Sequence, residues 1–455
     1  MNMILATDSY KPSHYKQYPE GTRNVYSFLE SRGGSFSSVL FFGLQYILKR
    51  YLVGQVVKQN DIGEAAKFFA DHFGTSAIFN AAGWQRIVDV YNGQLPIRVK
   101  AVPEGLKVPT KNVLMTMENT DPETPWLTNY LETLLSQVWY PMTVATLSHS
   151  MKETILEFLE ATGDPSLIDF KLHDFGYRGS TSVESAGLGG AAHLVNFKGS
   201  DTLAGMVLAR DYYGEPMAGF SIPAAEHSTI TSWGKDKEKD AYENMLDQFP
   251  TGLVAVVSDS FDIYNACRNI WGKELRDKVL RRDGTLIIRP DSGDPNEVLP
   301  KVFEILGEAF GAEKNAKGFK VLHPKVRVIQ GDGIDINSLC SILLVLKNKG
   351  WSADNIAFGS GGGILQMVNR DTAKFAIKCS SVDIAGEQRN VMKDPVTDPG
   401  KRSKAGRLKL VKSASGYETV QENMPGTDQL VTVFENGKLL KEYSFAEIRQ
   451  RANNS

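Results

Sequence analysis

Between about residues 168 and 363 a short apolar run repeatedly ends in a polar or glycine-containing cluster, and this rhythm constrains the fold most. The pairs are FKLH then DFGYRG, LVNF then KGSD, FSI then PAAEHS, LVAVV then SDSFD, TLII then RPDSGD, VRVI then QGDG, and IAF then GSGGG. With Asp174, Asp201, His227, Asp259, Asp291, Asp332 and Ser360 as markers, the intervals are 27, 26, 32, 32, 41 and 28 residues. A strand, a loop and a crossover helix fill such an interval, so the stretch reads as successive βα units. The motifs differ from unit to unit, which makes them structural repeats rather than a solenoid. The expectation is an α/β fold built on a distorted or incomplete barrel, with its polar loops where barrels place active sites. A doubly wound open sheet is the alternative.

The flanks have a different character. Ile97, Val99 and Ala101 alternate with polar neighbours, Pro103-Glu104-Gly105 reads as a turn, and Asn112–Met117 resumes a strand. Trp126–Leu159 reads as helical, with an interruption expected at Pro141. Past residue 376, Leu408–Val411, Tyr417–Val420 and Leu430–Phe434 are strand-like, and Asn436-Gly437 is a hairpin signal. The tail is expected to join the N-terminal β region. Residues 1–150 with 376–455 would form a mixed α+β domain, and residues 151–375 the barrel.

Composition narrows the class. Lys+Arg 51 against Asp+Glu 53 gives a formal net charge of −2, which argues against a mainly electrostatic nucleic-acid binder. Cys267, Cys340 and Cys379 form no CxxC pair and no disulfide framework, as in a reducing compartment. The N-terminus MNMILATDSYKPSHYK lacks the regions of a signal peptide, and the longest uncharged stretch is too polar for a membrane span. A cytoplasmic enzyme is expected.

Several residue groups can support chemistry. GSGGG, residues 359–363, follows a strand-like run and precedes a helix-compatible one, which suits phosphate binding; a glycine turn is the other reading. Arg370, Lys374, Lys378, Lys393, Lys401, Arg402, Lys404 and Arg407 are either a solvated surface or compensation for a polyphosphate. Asp174, Asp201, Asp259, Asp291 and Asp332 stand at strand ends, where carboxylates cap loops or hold ribose hydroxyls or Mg²⁺. His227 is either a hydrogen-bonded structural histidine or a phosphate contact and phosphorylated nucleophile, with Glu226 orienting its ring. His173 and His193 are not at metal-ligand spacing, so zinc is not expected.

These segments, together with ATDSYKPSHYKQYP and KDPVTDPGKRSKAGRL, resemble those of the nicotinamide phosphoribosyltransferase family, in the same order from about residue 4 to 449. The resemblance implies a type II phosphoribosyltransferase fold and a homodimer with shared active sites. It implies transfer from phosphoribosyl pyrophosphate to nicotinamide, giving nicotinamide mononucleotide and pyrophosphate, with Mg²⁺ and with ATP as accessory substrate. Phe175 and the partner's Tyr10 would sandwich the pyridine ring, while Asp201 and Arg289 address the carboxamide or adjacent groups. Asp291, Gly331 and Asp332 would hold the ribose, and Gly361 and Gly362 the 5′-phosphate. Arg178, His227 and Arg289 would face pyrophosphate, assisted by Arg32, Arg370, Lys378, Lys393 and Lys401, several of them in trans. Asp8 and Ser221 are further substrate-side positions. Asp259 and Glu226 join His227, Asp291 and Arg289 as the catalytic group, with His227 the phosphohistidine of an ATPase cycle. Direct metal ligands are not assigned, because Mg²⁺ would ride on the pyrophosphate.

Two departures stand out. Ala376 occupies a place where animal members tend to have Ser, and the segment GGSFSSVLFFG after Arg32 is shorter than theirs. Three other functions fit parts of the pattern. A nicotinate phosphoribosyltransferase is disfavoured by the carboxylate of Asp201, which would repel the acid. A silent phosphometabolite-binding protein is disfavoured by His227, Asp291 and GSGGG occurring together. A two-carboxylate glycosidase leaves the lysines unexplained.

Overall fold

The computed structural model describes residues 1–397, 403–414 and 416–454. The chain divides into two compact units. One comprises residues 147–210 and 216–367; the other comprises residues 1–146, 211–215 and 368–455.

The first unit is built on a six-stranded parallel sheet. Its spatial order is Gly199–Ser200, Leu172–Asp174, Ile356–Ser360, Val326–Gln330, Asp283–Arg289 and Thr251–Val257. Helices follow the strands, among them Val183–Leu194, Pro295–Phe310 and Ile336–Asn348. Strands covered on both faces must be apolar along their length, and Val254, Val256, Leu286, Ile288, Val326, Val328 and Phe358 are all buried. Ala255, Ile287 and Ile329 form an inner cluster against which Phe175, Ile222 and Ala357 pack.

Six strands are present where seven were expected, and the second lies at Gly199–Ser200 rather than at LVNF, whose Leu194 ends the helix Val183–Leu194. The missing one is the FSIPAAEHS segment, where Pro223 removes a backbone donor. The segment still bridges the sheet's two edges. Phe220 pairs with Gly199 at one edge, and Ala224 pairs with Ala255 at the other, each as an isolated parallel bridge. The architecture is therefore an incomplete barrel, closed by a stretch too irregular to be a strand.

Lys171, just ahead of Leu172–Asp174, is buried and donates to the carbonyls of Ala353 (2.9 Å), Asp354 (3.1 Å) and Ile356 (2.9 Å). It thereby fastens the entry of Ile356–Ser360 to the neighbouring strand.

The second unit carries a seven-stranded antiparallel sheet. Its order is Glu387–Asn390, Phe375–Ile384, Thr22–Ser31, Val113–Asn119, Ile97–Ala101, Val431–Glu435 and Lys438–Leu439. C-terminal strands thus pair with N-terminal ones, as Thr22–Ser31 does with Phe375–Ile384 and Ile97–Ala101 with Val431–Glu435. The Asn436-Gly437 turn has φ of 49° and 76°, the left-handed pair that a two-residue hairpin of this hand requires. Unit boundaries at residues 146 and 367 compare with sequence-based boundaries at 150 and 375.

Pro141 does not interrupt a helix. The breaks fall earlier, between Trp126–Tyr130, Glu132–Ser136 and Trp139–Thr162. Pro141 sits in the first turn of the last of these, where its missing N–H has no intrahelical partner to lose. No helix among the described residues is long and apolar enough to cross a membrane, and all three cysteines are free.

Lys171→Met should destabilise the fold by about 1–3 kcal/mol, the cost of stranding buried carbonyls. Burial pulls the Lys171 ammonium down to about 7. Above that pH the unfolded chain still binds a proton that the folded chain has released, so folding gains stability as pH rises toward the ordinary lysine value. The gap between wild type and Lys171→Met should therefore widen from pH 7 to about pH 9 in urea melts.

Candidate active site

All the parallel strands end at one edge, and the expected polar residues collect there. Asp174 closes Leu172–Asp174, and Asp201 follows Gly199–Ser200. Asp259, Asp291, Gly331 and Gly361 stand one or two positions beyond their strands.

Asp259 ties two of these ends together. One oxygen meets His227 Nε2 at 2.9 Å, and the other accepts the backbone N–H of Asp291 at 3.0 Å. The Asp259 side chain is only 2% exposed, against 47% for His227, so a sheltered carboxylate holds an accessible imidazole. Glu226 does not orient this ring, contrary to the sequence expectation. Its carboxylate accepts the hydroxyl of Ser228, while Asp259 arrives from the strand it follows. Sequence separation hid that partner: Asp259 is 32 positions after His227.

Asp291 Oδ2 lies 4.0 Å from His227 Nδ1 and 3.8 Å from Arg289 Nη2. Burial pushes its carboxyl above the ordinary value, against the pull of Arg289 and His227. Asp259 and Asp332 add like-charge repulsion in the same direction. Arg289 Nε is buried without a hydrogen-bond partner. Asp201 accepts from the hydroxyl of Ser221, and both are exposed.

Asp174 has a different role. It is fully buried, accepts from the Gly176 N–H at 2.7 Å, and burial pushes its carboxyl up to about 6. That is the behaviour of a loop cap, the reading each strand-end carboxylate shared at the outset.

The glycines of GSGGG divide by function. A Cβ on Gly359 would fall 1.9 Å from Phe175 Cε2, so Gly359 is the floor on which the Phe175 ring lies. A Cβ on Gly363 would fall 2.2 Å from the Ile334 carbonyl oxygen, so that glycine serves packing. Gly361 and Gly362 would meet nothing closer than 3.4 Å and remain open. Gly331 also lies against Phe175 Cε2, at 3.3 Å from its notional Cβ. The floor role of Gly359 is invisible in sequence, because the ring above it belongs to another strand end. Gln366 Nε2 donates to the Gly176 carbonyl at 2.8 Å and thereby ties the loop carrying exposed Arg178 to this turn.

The remaining candidates belong to the other unit. Arg32, Arg370 and Lys378 line a cavity of about 560 Å³ with Lys374, Glu132 and Asp371. Ala376 also lines it and contributes only a methyl group. Burial lowers the Lys378 ammonium below its ordinary value, and the Arg32, Lys393 and Arg370 charges lower it further. Tyr10 is 57% exposed, and Asp8 beside it accepts from Thr133 Oγ1 at 2.6 Å. The Lys393 N–H donates to Ser403 Oγ at 2.9 Å, and the Ser403 N–H donates to the Lys393 carbonyl at 2.9 Å. Lys401 lies outside the described residues.

Comparisons with known proteins place the chain among relatives of one enzyme family. Residues 170–438 match the profile of the nicotinate phosphoribosyltransferase family, and residues 2–99 match the N-terminal domain of nicotinamide phosphoribosyltransferase. A nicotinamide phosphoribosyltransferase of Xanthomonas campestris pv. campestris is 52% identical, the match covering 99% of this chain and 98% of that one. Its namesake in Acinetobacter baylyi is 32% identical over 99% and 97% of the two chains. Among solved structures, nicotinate-nucleotide pyrophosphorylase of Pyrococcus furiosus shares the fold with a TM-score of 0.62 at 16% identity, covering 100% of this chain and 95% of its own.

Fold and matches together define a phosphoribosyltransferase, an enzyme of the pentosyltransferase class. Within that class, the chain belongs to the nicotinamide phosphoribosyltransferase family.

Gly359→Ala should leave the protein folded but displace the Phe175 ring. Its kcat/KM should drop at least about tenfold, a loss of roughly 1.4 kcal/mol in transition-state binding. Steady-state kinetics beside a thermal melt checks this: unchanged kinetics in a folded variant would remove Phe175 from the site.

Proposed function

We propose that the protein transfers the phosphoribosyl group of phosphoribosyl pyrophosphate to nicotinamide, releasing nicotinamide mononucleotide and pyrophosphate in NAD salvage. The observation that carries this reading is the full-length, 52% identical match to a relative named nicotinamide phosphoribosyltransferase. A cytoplasmic setting belongs to the same reading, supported by three free cysteines.

The chemistry suits the residues. A pyridine nitrogen has a lone pair and no proton to lose, so its attack on ribose C1 needs no general base. The protein must align two reactants and stabilise departing pyrophosphate through an oxocarbenium-like transition state. Phe175 offers one face to the flat ring. Tyr10 would offer the other across a homodimer with shared sites, in which Arg32, Arg370, Lys378, Lys393 and Lys401 complete the phosphate compensation. Asp201 can accept from a carboxamide N–H but repels a carboxylate. Asp291, Gly331 and Asp332 take the ribose, and the open backbone at Gly361 and Gly362 takes the 5′-phosphate. Arg178 and Arg289 face pyrophosphate, Arg289 with its unpaired Nε.

Among the described residues no group of three or more His, Cys, Asp or Glu could hold a metal ion. Mg²⁺ carried on a phosphate substrate needs only one or two protein carboxylates, and Asp291 and Asp332 are the ones we assign. Bound there, the ion would neutralise charge on the leaving group.

ATP enters this reading as an accessory substrate. With Nε2 held by Asp259, Nδ1 of His227 would form the new N–P bond as the bond between the γ-phosphorus and ADP breaks.

Asp201→Asn should narrow the preference for nicotinamide over nicotinate, because the charge that repels the acid is gone. Competition kinetics with both bases measures it, and equal turnover of the two by wild type would end the amide-recognition argument. His227→Ala should abolish labelling by γ-radiolabelled ATP while the protein stays folded. A folded variant that still becomes labelled would leave His227 as a pyrophosphate ligand at most.

A further inference from the structure

The cation-lined cavity beside Arg32 is held by a residue that does not line it. Glu30 is 4% exposed and sits one residue from the end of Thr22–Ser31, paired across the sheet with Ala376. Its Oε1 accepts from Arg32 Nε at 3.2 Å, and its Oε2 accepts from Lys404 Nζ. One carboxylate therefore grips two cations from segments far apart in sequence. A guanidinium held by Nε keeps its other nitrogens in a fixed fork, the geometry that matches phosphate oxygens. Arg32 Nη2 is buried and without a hydrogen-bond partner, while Arg32 lines the cavity.

The neighbouring charges explain why a clamp is needed. Arg32, Arg370, Lys374 and Lys378 share one cavity wall, with Glu132 and Asp371 as the carboxylates among them. Glu132 is engaged by Lys11 at 2.6 Å. Without Glu30, Arg32 would be free to swing away from the other cations.

We propose that Glu30 is a positioning residue for phosphate recognition: it orients Arg32 toward the cavity and tethers the loop carrying Lys404 beside it. The proposal rests on the reading of this cavity as a phosphate subsite of the transferase. Glu30 touches no substrate; it acts through Arg32.

The test is steady-state kinetics on the full-length enzyme with Glu30→Gln, Glu30→Asp, Arg32→Ala and the Glu30→Gln/Arg32→Ala double variant. Glu30→Gln should raise the KM for phosphoribosyl pyrophosphate about tenfold, an effect typical of a lost ionic clamp. The KM for nicotinamide should stay within about twofold. Glu30→Asp, which keeps the charge, should recover part of the loss. In the Arg32→Ala background Glu30→Gln should add less than about twofold, because its effect passes through the missing guanidinium. If Arg32→Ala raises that KM but Glu30→Gln does not, or if the two effects multiply, the positioning role is overturned. If Arg32→Ala leaves the KM unchanged, the phosphate reading of the cavity fails first and the inference with it. A Glu30→Gln protein that loses thermal stability with normal kinetics per folded molecule would make Glu30 purely structural.

Discussion

Parallel pairing is the constraint on which the α/β unit depends. Six strands running one way bring every C-terminal end to one edge, and the loops there have no neighbouring strand to satisfy their polar groups. Asp259 shows the consequence. It leaves the strand Thr251–Val257, yet its two oxygens serve His227 and the backbone of Asp291, which come from two other repeats. The apolar strands bury the frame, and the shared carboxylate converts adjacent strand ends into one constellation.

The antiparallel unit solves a different electrostatic problem. Four cations line a single cavity, so charge of one sign must be held in place there. Buried carboxylates do this elsewhere in the same sheet. Glu118 accepts from both Arg407 Nη atoms, at 2.8 and 3.0 Å, and also from Arg98 Nη1 at 3.4 Å. Glu30 repeats the device nearer the cavity, with Arg32 and Lys404. Such pairs are costly to break from one side, because the remaining charge stays buried.

Glycine supplies the third element of the design. Phe175 can lie flat only because Gly359 has no side chain, and its ring is then bounded by Gly331 as well. A ring resting on backbone is held without being enclosed.

Much of this was legible in the chain. Apolar runs of strand length at spacings of 26 to 41 residues determine a parallel α/β layer, because only a crossover helix fits the intervals. The same periodicity located Asp201, Asp259, Asp291, Asp332 and Gly361 at strand ends, and Asn436-Gly437 marked a hairpin from local backbone preference alone. What the sequence could not contain was the identity of partners. Glu226 stands next to His227 in the chain, yet Asp259 holds the ring, because a side chain's neighbours are set by which strands lie side by side. Likewise the FSIPAAEHS run has the pattern of a strand, but Pro223 and the gap between two sheet edges reduce it to isolated bridges. Periodicity is a property of the chain and survives in it; charge pairing and the floor beneath Phe175 are properties of spatial neighbours, and only the folded structure decides those.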